Sequence, residues 1–92
     1  MQVAAVIADR YGIFSWGWNS SGRDGYGEHA EAAAIRRANK KRLDGATIYV
    51  AGKRSKPVMS RPCKDCLKLL AGYGISRAAY TVGRGDWFEE IV

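Results

Sequence analysis

The sole histidine of this chain and its only two cysteines fall where two helices are expected to begin, and that placement restricts the fold more than any other feature. The histidine lies in His29-Ala30-Glu31, and the cysteines lie in Pro62-Cys63-Lys64-Asp65-Cys66. If the three side chains share one ion, the two helix starts must converge across an intervening strand. Two cysteines at i and i+3 point to the same side of a first helical turn, so both can reach that ion. In a short chain a Cys-x-x-Cys pair is metal-binding or redox-active more often than it is a structural disulfide. At 92 residues the chain is expected to be one domain, 1–92, with a thin stability margin from its core alone. A metal or a partner subunit would widen that margin.

The flanking pattern supplies the rest of the framework. Residues 2–8 form a short apolar run and 13–18 a second, joined by Asp9-Arg10-Tyr11-Gly12, which reads as a hairpin. Residues 19–27 are rich in glycine and serine and read as a loop. From 28 to 42 strong helix formers dominate, and Ala30, Ala33, Ala34 and Ala38 recur at helical spacing. Such small side chains let a helix lie close against a sheet. Residues 47–51 and 78–82 read as strands, 52–61 as a basic loop and 64–73 as a second helix stopped by Gly72 and Gly74. The expected order is β-β-α-β-α-β, its last three elements implying a parallel pair with a right-handed crossover. The tail, 83–92, reads equally as strand or short helix.

Composition narrows the partners. The longest early apolar run, from Val3 to Ala8, is far too short to span a bilayer and lacks the basic flank of a secretory signal. A cytoplasmic chain with no membrane association is therefore expected. The net charge of +6 favours an anionic partner, a nucleotide phosphate or a polynucleotide. Arg23, Lys53, Arg54, Lys56 and Arg61 could form a phosphate rim, or could be solvated loop residues. Trp16 and Trp18 share one face of their strand, for packing within the chain, for subunit contact or for stacking on a base.

The chemistry of the donor set points to zinc, which prefers nitrogen and sulfur ligands in a tetrahedron. His29, Cys63 and Cys66 supply three corners and −2 of ligand charge, leaving the fourth for a water that becomes acidic enough to attack near neutral pH. The partial positive charge of a helix N-terminus is expected to lower both thiol pKa values. Glu31 would lie about 200° around an ideal helix from His29, so the pair can share a pocket only if His29 sits partly outside helical geometry. Glu31 would then carry protons rather than bind metal. Two other readings stand beside this one. A closed zinc site would need a carboxylate such as Asp24, Asp65 or Asp86 as fourth ligand, and a redox dithiol would leave His29 and Glu31 without a role.

His-x-Glu followed by Pro-Cys-x-x-Cys resembles the signature of zinc nucleobase deaminases. Together with Gly17-Trp18-Asn19, Gly45-Ala46-Thr47-Ile48-Tyr49-Val50 and Gly74-Ile75-Ser76-Arg77, it makes residues 5–82 resemble the cytidine deaminase-like superfamily. This resemblance implies a three-layer α/β/α fold around a mixed sheet of four to five strands. It implies Zn²⁺ on His29, Cys63 and Cys66, with Glu31 as acid and base. It further implies substrate contacts from Asn19, the Ala30 N–H and the Arg61 carbonyl. The expected reaction is hydrolytic deamination of cytosine in a nucleoside or nucleotide, a zinc-activated water attacking C4 with release of ammonia. Deamination of cytosine or adenine within single-stranded DNA or RNA, and a non-catalytic zinc-stabilised nucleic-acid-binding module, are the alternatives. The chain departs from many relatives in lacking their longer C-terminal helices. Gly17-Trp18-Asn19 resembles tRNA adenosine deaminases, whereas Ser60-Arg61-Pro62 is closer to the cytosine branch. A homo-oligomer is expected.

Overall fold

The computed structural model describes residues 2–19, 29–53, 57–58, 61–82 and 86–92. Strand β1 (Gln2–Asp9) turns through Arg10 and Tyr11 into β2 (Gly12–Trp18). Asp9 holds the turn by accepting from the Tyr11 N–H at 2.9 Å, and Gly12 supplies a φ of 113°. Helix α1 (Ala30–Arg37) precedes a 3₁₀ turn (Lys40–Arg42) and β3 (Thr47–Lys53). A two-residue strand β4 (Pro57–Val58) pairs back on β3. Helix α2 (Lys64–Gly72), β5 (Arg77–Thr81) and β6 (Trp87–Ile91) complete the order. No helix among the described residues is long and apolar enough to cross a membrane.

The sheet runs β2-β1-β3-β5-β6, with β4 off this path. β3 and β5 are parallel, as the intervening helix predicted, and the other pairs are antiparallel. The ambiguous tail is a strand, placed by its register on β5 from Arg77↔Ile91 to Thr81↔Trp87. The loop expected over 52–61 is shortened by the extension of β3 to Lys53 and by β4.

The helix expected over 28–42 is half that length. Ala38 and Asn39 are extended, and the Asn39 side chain accepts from the Lys41 N–H at 3.0 Å, starting the 3₁₀ turn. An asparagine that satisfies nearby backbone competes with helix continuation, and here it ends α1.

Alternate strand residues divide the sheet into two unlike faces. Ala5, Ile7, Ile48, Val50, Ala78 and Tyr80 pack with Ala30, Ala34 and Ile35 of α1 and with Leu70 of α2 in one core. Both helices therefore lie on the same face, and the described residues form two of the three layers the resemblance implied. The alanine stripe of α1 is buried as its spacing predicted. Gly17 of β2 makes the close approach possible. A β-carbon there would lie 2.7 Å from the Ala30 carbonyl oxygen and 2.7 Å from the Ala33 β-carbon, and would collide with the Ala34 nitrogen. The Ser15 hydroxyl donates to the Ala34 carbonyl at 2.6 Å and fixes the helix along the strand.

Candidate metal centre and active site

The two helices of the covered face start side by side, and each begins on a potential ligand. His29 is the N-cap of α1 and Cys63 the N-cap of α2. His29 has φ −71° and ψ 152°, outside helical geometry, as the His-x-Glu spacing required. Its Nδ1 is 3.3 Å from Cys66 Sγ and 3.8 Å from Cys63 Sγ. The ligand atoms of His29, Cys63 and Cys66 all lie within 4.8 Å of one another. One nitrogen and two sulfurs converging at this separation fit a tetrahedral zinc ion with one position left over. Among the described residues no carboxylate joins the group, and Asp24 lies outside them.

Glu31, in the first turn of α1, is 5% exposed. Burial pushes the Cys66 thiol up, and the neighbouring negative charge of Glu31, within hydrogen-bonding reach of that thiol, pushes it further. The lowering expected from the helix start is thus outweighed at Cys66. Without metal the pocket favours the neutral thiol, so metal binding must release a proton.

The expected substrate contacts are placed unequally. Asn19 directly follows β2, where its N–H donates to the Val3 carbonyl at 3.1 Å and its Oδ1 accepts from the Val3 N–H at 2.9 Å. This double contact pins Asn19 to the start of β1. Ala30 is the first residue of α1, a position whose N–H has no intrahelical acceptor. Arg61 leads through the buried Pro62 into Cys63. Its side chain is not open to a phosphate: Nε and Nη2 donate to the two oxygens of Glu90 at 2.8 and 3.4 Å. Arg23, Arg54 and Lys56 of the expected rim lie outside the described residues, as does the side chain of Lys53. Glu90 was not legible as part of this region, since it sits 29 residues from Arg61 with no spacing rule to join them.

The sequence pattern of the family described as "Cytidine and deoxycytidylate deaminase zinc-binding region" matches residues 1–82. The chain belongs to this family. No curated protein matches it closely. Among solved structures, the dCMP deaminase of cyanophage S-TIM5 in apo form superposes with a TM-score of 0.70 at 22% identity. The same enzyme in complex with dCMP and dUMP gives 0.66 at 23% identity. In both cases the match covers 87% of this chain and 65% of the other. RibD of Acinetobacter baumannii, form 2, gives 0.59 at 20% identity over 87% of this chain and 21% of that one. The chain thus spans about 65% of the cyanophage enzyme. These likenesses establish the cytidine deaminase-like α/β fold, and the family match together with the His29, Cys63 and Cys66 group fits Zn²⁺ as cofactor.

Proposed function

We propose that residues 1–92 are a single deaminase domain that hydrolyses the exocyclic amine of cytosine in a nucleoside or nucleotide. One observation carries this reading: a buried carboxylate, Glu31, stands against a converged one-histidine, two-cysteine group at two helix starts. A purely structural zinc site has no use for such a carboxylate. His29, Cys63 and Cys66 would hold the zinc, which supplies Lewis acidity and lowers the pKa of water in the pocket.

The chain's own groups do the rest. Glu31 takes a proton from the attacking water, passes it to the ring nitrogen, and assists the departing amine. A C4–O bond forms, the C4–N bond breaks, and ammonia leaves. The Ala30 N–H, unpaired within its helix, receives the base carbonyl, and the Arg61 carbonyl receives the leaving amine. Asn19, held by Val3, presents its amide to the sugar or base. The cyanophage relative bound to dCMP and dUMP supports a nucleotide-sized substrate. A homo-oligomer belongs to the same reading.

Ammonia release from zinc-loaded protein tests it, against cytidine, deoxycytidine, CMP, dCMP, adenosine, single-stranded DNA and a tRNA stem-loop. Turnover of one cytosine monomer is expected, with Glu31→Ala slower by about 10²–10⁴-fold and still binding one zinc per chain. Loss of zinc from Glu31→Ala would make Glu31 a ligand. Turnover of the polymers alone would move the substrate to single-stranded nucleic acid.

A further inference from the structure

The face of the sheet opposite the helices carries an aromatic surface. The strand register assembles it row by row. Trp16, Val6, Tyr49 and Ala79 share one row, Trp18, Ala4 and Ala51 a second, and Trp87 stands opposite Thr81. Trp16, Trp18 and Trp87 are 56%, 53% and 53% exposed, and Ile13 and Ile91 at the two edges are more exposed still. Tyr49 packs edge-on against Trp87, with ring centroids 6.3 Å apart.

From these contacts we infer that this face is where two copies of the chain associate, which deepens the homo-oligomer of the reading above by naming its surface. Three arguments select a second copy. The first is charge. In a chain of +6, the charged pair on this face, Arg77 and Glu89, is joined by its own 3.2 Å ion pair. Arg37 reaches the rim but lies stacked on the Trp18 ring at 4.1 Å. A polynucleotide needs a run of cations, whereas among the described side chains of this face only Arg37, at the rim, keeps a charge without an anionic partner, so two copies can meet here with little charge brought together.

The second argument is shape. Bulky residues stand on the edge strands β2 and β6, while on the strands between Ala4, Ala8, Ala51 and Ala79 leave low ground around Val6 and Tyr49. A two-fold axis can therefore lay the aromatic rim of one copy on the low ground of the other, in a self-complementary contact. The third is area. Each large aromatic ring offers about 150–250 Å² when fully exposed. Three half-exposed tryptophans and Tyr49 thus present roughly 400 Å², and Ile13, Ile91 and Val6 bring the face towards the ~800 Å² per partner of a stable pair.

The test is sedimentation velocity of the zinc-loaded protein from about 1 to 100 µM, run on the wild type, Trp16→Ser and Ile91→Asp. The very exposed Ile91 gives a variant whose folding is not at stake, and zinc content confirms the fold of each. Wild-type dimers, with the dimer dissociation constant raised at least tenfold in both variants, would support the assignment. Dimers unmoved by either variant would overturn this surface while leaving the oligomer. A wild-type monomer throughout would overturn both. Single-stranded DNA binding lost in Trp16→Ser, without a change in association state, would replace the second copy by a nucleic acid.

Discussion

Trp16 and Gly17 are neighbours in one strand, yet they belong to different chemical worlds. Gly17 faces α1 so closely that no side chain fits, against the helix whose N-cap is His29 and whose first turn carries Glu31. Trp16 faces the other way, half in solvent, in a row with Val6, Tyr49 and Ala79. Pleating delivers the two environments from consecutive residues. On the covered face small residues draw a helix inward and so set where its N-terminal histidine stands. The open face is free of that geometric demand, so its residues can be chosen for contact with something else.

The contrast is broken most strongly at the ligands. Cys63→Ala should remove zinc and the stability that comes with it, about 4 kcal/mol where free zinc is near 1,000 times Kd. Melting curves with and without excess zinc check this, and an unchanged midpoint would place the ion elsewhere. Next comes Gly17→Val. The clash is with helix backbone, which cannot rotate away, so the cost belongs at the upper end of the ~1–3 kcal/mol typical of overpacking. It should also weaken zinc binding by shifting His29. Urea unfolding and zinc titration would show it, whereas Trp16→Ser next door, losing a half-exposed ring opposite Val6, should cost the monomer only about 1 kcal/mol.

The smallest effect lies at the opposite end of the sheet from the ligands, where Arg42 donates to both oxygens of Asp9 at 2.8 Å. This hydrogen-bonded pairing lowers the Asp9 pKa from 3.8 to about 2. A depressed carboxylate pKa gives stability that is present above the unfolded value and lost as pH falls through the folded one. Asp9→Asn should therefore flatten the acid limb of stability between about pH 4 and 2 and leave zinc binding at pH 7 unchanged. Acid titrations of both proteins, followed by circular dichroism, decide it.

What the sequence revealed follows the reach of each signal. Local signals were readable: the hairpin around Arg10 and Tyr11, the alanine stripe, the α2 start at Cys63 and its stop, where Gly74 adopts φ 80°. The convergence of His29 with Cys63 and Cys66 was readable because one ion demands it. The early end of α1 was not, since Ala38 continues the helical period and only the Asn39 side-chain bond reveals the competing turn. The tail was not, because Trp87 and Phe88 are adjacent rather than alternating and pairing with β5 decides the matter. The lowered thiol expected at Cys66 was overturned by burial and Glu31, which depend on packing.

The order of events during folding follows from the span between the ligands. The β1–β2 hairpin closes across two residues, an event of about 1–10 µs. His29 meets Cys63 and Cys66 only across separations of 34 and 37 residues, once β3 and β5 have paired in parallel. Such distant contacts bear a larger loop-closure entropy and form late. The metal pocket is thus among the last parts of the molecule to exist, and an ion offered early in refolding meets a finished hairpin and ligands that have not yet met each other.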